Sequence, residues 1–349
     1  MAGGSWDITS LPVRPGLYIN FKEAATAQIS GGARGIVAIP LTSFKEGTAV
    51  AKTFYTVSNE TEALKLFGTD HIQSIRFALQ GGAKYILVYT LPDSATAADY
   101  AEMRTAFDTR PFNVFVFDGE YSSEEQAALK AWVAANRDEG KHFMAVIGGN
   151  AATDADSVQG NSRSTLNSDM YIVNLINGVS INGTNYTSSQ FAPFIAGLIA
   201  GSTINRSITY APVSVNDVTK RMTNSQIKDA LQAGSLVLTH DGEKVKIEQG
   251  LTTSKHKIRA IRTRQAVSTD ITKTANDSYI GKIDNNEDGQ AALISAVKAY
   301  LETLAASNAI AEVDVILDPQ HASKGDSVYL SISYREVDSM ERIFLTVTI

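Results

Sequence analysis

Five histidines, His71, His142, His240, His256 and His321, are the side chains best suited to holding a metal or moving a proton near neutral pH. Their spacing serves neither purpose, because no HxxxH or HExxH pair sets two of them on one helical face. The chain has no cysteine, which excludes thiol nucleophiles, disulfides and thiolate zinc sites together. It also has no GxSxG nucleophile elbow and no GxxxxGK[ST] phosphate loop. The stretch GGARG (31–35) has the glycines of a phosphate cradle, yet it precedes a strand-like run. A cradle follows a strand and opens a helix, so GGARG reads as the flexible end of a linker. In DNNEDG (284–289), Asp284, Asn286, Asp288 and Gly289 match the first half of a calcium loop. The twelfth position of that loop needs a bidentate carboxylate and is Ser295, so the stretch reads as a polar turn capping the next helix.

The last such stretch is KHKIRAIRTR (255–264), which sets Lys255, Lys257, Arg259, Arg262 and Arg264 together with no acidic residue. Two readings stay open. One is a solvated basic face over a buried stripe of Ile258 and Ile261. The other is a docking surface for an acidic partner. Nucleic acid is a poor fit, since the stretch lacks stacking aromatics and the whole chain carries a net charge of −6. No catalytic constellation, metal site or cofactor site is expected, which shifts weight towards an architectural role.

The elements around these stretches are those of an ordinary globular protein. At 349 residues and 37.5 kDa, with 44% hydrophobic and 19% charged residues, the chain can build two cores. No window approaches 18 uninterrupted apolar residues, so no membrane span is expected. The opening MAGGSWDITSLPVRPG has neither the basic nor the apolar region of a secretory signal, so no cleavable address is expected.

Near-continuous apolar runs at 34–40, 84–90, 111–117 and 142–148 alternate with helical patterns at 60–68, 70–82, 96–107 and 122–140. That alternation predicts an α/β body with a mostly parallel sheet covered on both faces. Residues 169–186 predict a hairpin-like excursion, with strands meeting at Asn177-Gly178 and a second turn at Asn182-Gly183. The small-residue helix SQFAPFIAGLIAGS follows and is expected to pack closely. From residue 235 the character changes to a hairpin at Asp241-Gly242, a basic helix, a helix over 290–306, and strands at 311–317 and 326–334. The expected division is an N-terminal arm and linker (1–33), an α/β body (34–234), a smaller α+β domain (235–340) and a C-terminal strand or arm (341–349).

Both ends carry an isolated alternating strand. Leu17, Ile19 and Phe21 alternate with Tyr18 after a Pro-Gly break, and Ile343, Leu345, Val347 and Ile349 alternate with Phe344 at the end. Chains usually end in polar, poorly ordered residues. A strand of full hydrophobic strength needs a sheet to join, either its own or a neighbour's. Donation from each subunit to the next gives rings, or open helical filaments.

The sequence resembles the contractile phage tail sheath family, of the type found in defective prophages and R-type bacteriocins. The resemblance rests on RPGLYINF, GGARGIVAIP, FYTVSNETEALKLFG, ALQGGAKYILVYTL, YIVNLINGVSINGTNYTSSQFAPFIAGLIAGS, GSLVLTHDGEKVKIEQGLTT, YIGKIDNNEDGQAALISAVKAYLETL and DSMERIFLTVTI, in order over nearly the whole chain. It implies a structural subunit without a cofactor that polymerises as sixfold rings around an inner tail tube. Both arms would add strands to neighbouring subunits. The implied partners are further copies of the chain, the tube protein, and baseplate and tail terminator proteins, with no nucleic acid and no membrane insertion. Assembly in the bacterial cytoplasm, release on lysis, and contraction that drives the tube through a target envelope are implied as well. So is a tube-facing C-terminal domain, which would turn Lys255, Lys257, Arg259, Arg262 and Arg264 towards the tube. Longer family members carry an additional outer all-β domain for which this chain has no room. The alternatives are an α/β enzyme, a hydrolase or nucleotide-dependent, with an unrecognised site, and a surface-layer or donor-strand fibre protein.

Overall fold

A computed structural model describes Ile29, residues 34–44 and residues 46–348. Leu17, Tyr18, Ile19, Phe21 and Ile349 lie outside the described residues.

The body is organised by six strands, β1 (Ile36–Leu41), β2 (Phe54–Val57), β3 (Tyr85–Thr90), β4 (Val114–Val116), β5 (Met144–Ile147) and β6 (Ile172–Asn174). They lie in the order β2-β3-β1-β4-β5-β6, all parallel except β2, which pairs antiparallel with β3 at the edge. Every residue of β4, β5 and β6 is buried. Both faces of that half of the sheet are therefore covered, which is why these strands read as unbroken apolar runs.

The covering helices are α1 (Glu60–Phe67), α2 (Gln73–Gly81), α3 (Ala97–Asp108), α4 (Ser123–Asp138), α5 (Ala151–Asp154), α6 (Ser157–Leu166), α7 (Ser188–Gly201) and α8 (Asn224–Ala233). Their starts are set locally. Thr96 with Asp99, Thr187 with Gln190 and Thr223 with Gln226 form capping boxes, and Ser122 accepts from the Glu125 amide. Phe54, Tyr89, Phe112 and Phe115 surround Phe107 of α3, and Trp132 of α4 stacks on Phe112. A second aromatic group, Phe77 of α2 with Tyr186 and Phe191, joins α2 to α7.

Strand β6 belongs to the parallel sheet, so Asn177-Gly178 is not the hairpin turn that the dipeptide predicted. The hairpin is β7 (Val179–Ile181) and β8 (Thr184–Tyr186), turning at Asn182 (φ 50°) and Gly183 (φ 83°). Asn177 instead works through its side chain, donating to the Leu238 carbonyl at 2.8 Å and accepting from the Leu238 amide at 3.0 Å. Short strands β9 (Pro212–Val213) and β10 (Asp217–Val218) pair with β12 (Val245–Ile247) and β7, and β11 (Leu238–His240) forms the expected hairpin with β12.

The body continues past the boundary expected at 234/235. Leu236 bridges Leu175 in parallel alongside β6, and Val245, Ile247, Ile258 and Ile261 all join the body's core. The second core starts at Val267. The two clusters meet along α9 (Ile258–Thr274), which runs on into a π-helical turn, Ala275–Tyr279. Helix α10 (Glu287–Ala306) then packs on β13 (Ile310–Leu317), which pairs antiparallel with β14 (Leu330–Glu336). Asn286 caps α10 by accepting from the Gly289 amide at 2.8 Å, so DNNEDG does serve as a polar capping turn.

Candidate functional site: an exposed C-terminal segment rooted on a basic helix

In doubly wound sheets the crevice for chemistry lies beyond the carboxyl ends of the strands, where the strand order reverses. Here that point falls between β1 and β4, and it is stitched shut. Asp118, following β4, accepts from the Thr42 amide at 3.2 Å and hydroxyl at 3.3 Å, following β1. Burial pushes the Asp118 carboxyl up from its ordinary range. Beyond β5, Asp154 accepts from the Ser188 amide and hydroxyl, both at 2.6 Å, at the start of α7. Its carboxyl is pushed up to about 6 by burial, against the pull of the Ser188 hydrogen bonds. Both carboxylates tie loops to neighbouring elements.

The histidines are not brought together either. His142 meets the Tyr171 hydroxyl at 2.9 Å, His256 the Ser254 hydroxyl at 3.0 Å and His321 the Asp318 carboxylate at 2.9 Å, while His240 accepts from the Gly242 amide at 3.0 Å. No cluster of three or more metal-capable side chains occurs among the described residues.

The feature that distinguishes the molecule lies at its C-terminal end. After β14, the Val337 amide donates to the Ala309 carbonyl at 3.2 Å, and no further strand forms among the described residues. Ile343, Phe344, Leu345 and Val347 are 69%, 90%, 83% and 80% exposed. Single exposed apolar residues are common, whereas an exposed run of them marks a surface that something else covers. The expected period-two strand has no partner strand within the described residues.

Just before the exposed run, Glu341 is held fast. Its carboxylate accepts from Gln249 Nε2 at 2.6 Å, Thr209 Oγ1 at 2.8 Å and Ser339 Oγ at 3.1 Å, and forms an ion pair with Lys257. Burial alone would raise this carboxyl, but the hydrogen bonds from Lys257, Gln249 and Thr209 hold it down at about 2. A depressed carboxyl contributes stability above its ordinary value of 4.5, and loses it only as pH falls towards about 2. The clasp is therefore intact across the physiological range.

The basic run ahead of and within α9 is spent mostly inside the chain. Lys257 pairs with Glu341, and Arg264 makes a two-pronged pair with Glu336 at 2.6 and 3.1 Å. Arg259 is buried and donates to the Asn308 carbonyl at 2.7 Å. Arg262 is buried and donates to the carbonyls of Ser202 and Thr203. Only Lys255 of the five is exposed, with a positive φ of 69° just before the helix. The face expected to meet a tube is thus largely committed to this chain's own backbone and acids. Their partners lie dozens of residues away in sequence, which spacing within the basic run could not reveal.

Arg262 caps the carboxyl end of α7, where a cation also meets the negative end of the helix dipole. Burial lowers its pKa to about 10, still far above neutrality, so it remains charged. Together with Gln265, which donates to the carbonyls of Asn113 and His142 at 3.0 and 3.1 Å, it bolts α9 to the body. Replacing Arg262 by alanine is expected to cost about 3 kcal/mol, since two carbonyls at the end of α7 lose a charged donor whose own side chain is buried. Denaturant unfolding checks this, and a loss below about 1 kcal/mol would contradict the bolt.

Comparison with known proteins places this geometry. Residues 93–253 match the family model of the phage tail sheath protein central domain, and residues 252–349 that of the phage tail sheath C-terminal domain. The tail sheath protein of Clostridium phage phiCD119 is 24% identical, over 95% of this chain and 98% of its own length. The phage-like element PBSX protein XkdK of Bacillus subtilis is 24% identical, over 72% of this chain and 56% of its own length. Among solved structures, a sheath tail protein from Desulfitobacterium hafniense shares the fold with a TM-score of 0.74 and 22% identity, covering 96% of this chain and 100% of that one. The helical sheath of the anti-feeding prophage in its contracted state also reaches 0.74, at 17% identity and 97% and 99% coverage.

Proposed function

The chain belongs to the phage tail sheath family, and from that premise we propose how its surfaces serve a contractile sheath. It is a tail sheath protein of contractile injection systems, a component of a phage tail or phage-like particle. The role of that family is structural, not enzymatic, and the chain assembles with itself and other tail components. No helix among the described residues is long and apolar enough to cross a membrane.

The finer reading is this. Subunits stack as sixfold rings around an inner tube, and residues 341–349 leave one subunit to add a strand to the sheet of another. The N-terminal stretch around Leu17, Tyr18, Ile19 and Phe21 acts as a second arm. On triggering at the baseplate, the bodies rotate as rigid units while arm pairing keeps the lattice joined, and the tube is driven through the target envelope. A tail terminator closes the far end, assembly takes place in the bacterial cytoplasm, and lysis releases the particle. Lys255 is the residue of the basic run that remains available to the tube.

The single observation supporting this reading is the exposure of the alternating residues Ile343 to Val347 beside a firmly held Glu341. An exposed apolar strand is costly in water, and a neighbouring sheet edge satisfies its backbone and side chains together. Rigid-body motion is favoured by the Arg262 and Gln265 contacts, which run from α9 to carbonyls of the body. Electron microscopy of the concentrated, purified chain, alone and co-expressed with its tube protein, tests the reading. Hollow ribbed tubes are the expected result. Discrete particles under both conditions would overturn it.

A further inference from the structure

The acids that root the arm and the bases that receive them run in opposite orders. Arg264 holds Glu336 and Lys257 holds Glu341. From Lys257 to Arg264 is about 10 Å along a helical axis, a distance that the chain from Glu336 to Glu341 spans easily, at roughly 17 Å when fully extended. Residues 336–341 therefore run antiparallel along α9 and reach its amino end at the point where Arg342 becomes exposed. The receiving groups come from three separate stretches: Ser207 and Thr209 after α7, Gln249 after β12, and Lys257 at the start of α9. The two hydroxyls are oriented by backbone amides of the body as well as by the acid. Thr209 Oγ1 accepts from the Gly250 amide at 3.0 Å and Ser207 Oγ from the Thr209 amide at 3.1 Å, which leaves both hydroxyl protons to point at the carboxylate.

A chain that merely ended after β14 would not need such a fixture. We propose that Lys257 and Arg264 form a rail for the root of the C-terminal arm, with Glu341 as the positioning residue that sets where and in which direction the arm leaves towards a second copy of this chain. The proposal rests on the reading of residues 342–349 as a donated arm. It assigns the basic run a role inside the subunit: the strand that must find a neighbour starts from a fixed point and samples fewer directions. Ordering that root in advance removes part of the entropy cost of association. The ion pairs also make arm placement sensitive to charge reversal in a way that the apolar strand is not.

The test uses the full chain, with tube formation followed by sedimentation and electron microscopy, and thermal unfolding followed by circular dichroism. Glu341→Gln and Lys257→Glu are each expected to need roughly tenfold more protein to form tubes, the ratio set by losing one charge-assisted hydrogen bond. The clasp also contributes to the fold, so each single variant should lose a few degrees in unfolding midpoint, and assembly is compared well below every midpoint, where all the chains are folded. The swap Lys257→Glu with Glu341→Lys is expected to recover most of the loss, which a general weakening of the fold would not allow. Parent-like assembly of Glu341→Gln, or a swap that assembles no better than the single variants, overturns the proposal. A chain lacking residues 342–349 separates the two levels. If that chain still forms tubes, the donated-arm reading itself has failed. If it does not, while Glu341→Gln assembles normally, only the anchoring role has.

Discussion

Removing Arg342–Ile349 is expected to leave a folded, monomeric subunit that forms no tubes at any accessible concentration. Residues 342–348 are exposed and pair with no strand among the described residues. Their loss takes almost nothing from either core, since the last residue of the second cluster is Val315 and its last packed neighbour is Tyr334. Assembly would lose a whole interface strand. Each buried leucine, isoleucine or phenylalanine side chain contributes about 1.5–3 kcal/mol, so burying Ile343, Phe344, Leu345 and Val347 on a neighbour amounts to several kcal/mol per junction. Over a polymer of such junctions, that loss is decisive. Circular dichroism and sedimentation of the truncated chain check both halves. An unfolded product would assign the strand to its own domain, and tubes would remove the arm from the assembly mechanism.

The second large effect is expected at Gly197, with the opposite signature: the fold should weaken first. Helices α2 and α7 approach at their backbones. A Cβ on Gly197 would stand 2.0 Å from the Ala78 carbonyl oxygen, and one on Gly201 would stand 2.0 Å from that of Gly82. From the other side, a Cβ on Gly81 would lie 2.2 Å from the Phe194 oxygen. Two effects compete in Gly197→Ala. Alanine is favoured over glycine inside a helix by about 1 kcal/mol. Prying two packed helices apart costs about 1–3 kcal/mol and more when the obstacle is backbone. The clash should win, giving a net loss of roughly 2 kcal/mol and a midpoint several degrees lower. An unchanged or raised midpoint would mean that the helices separate freely, and that the body is softer than a rigid unit of a contracting lattice should be.

The body was legible because its strands are buried on both faces and its helices carry their own caps. Residues 85–90 and 144–147 announce themselves as apolar runs, and Thr96, Ser122 and Thr187 mark starts by side-chain chemistry that local sequence contains. Helices α5 and α6 escaped because AATDADSVQGNSRSTL has no apolar periodicity; they are held by Asp154, by Arg163 reaching Asn174 at 2.7 Å, and by close packing of Gly160 on Ile176. The Asn177-Gly178 dipeptide misled because the same residues that suit a turn also suit close approach. A Cβ on Gly178 would meet the Tyr186 oxygen at 2.2 Å. Strand β2 was missed as a short, partly exposed edge with little alternation.

The site was legible in a different way. Alternation in ERIFLTVTI showed that the segment suits a sheet, but a strand is defined by its partner, and within one chain's described residues the partner is not there. The basic run was visible as charge, while its use was not, because Glu336 and Glu341 answer Arg264 and Lys257 from 72 and 84 residues away.

The most direct measurement is a cryo-electron microscopy map of the assembled tube at side-chain resolution, traced through Glu341 to the last residue. The account predicts that Glu341 stays on Lys257 of its own subunit while Ile343 to Val347 lie as a strand against the sheet of an adjacent one. Density for residues 343–347 folded back on the subunit that carries them would contradict it.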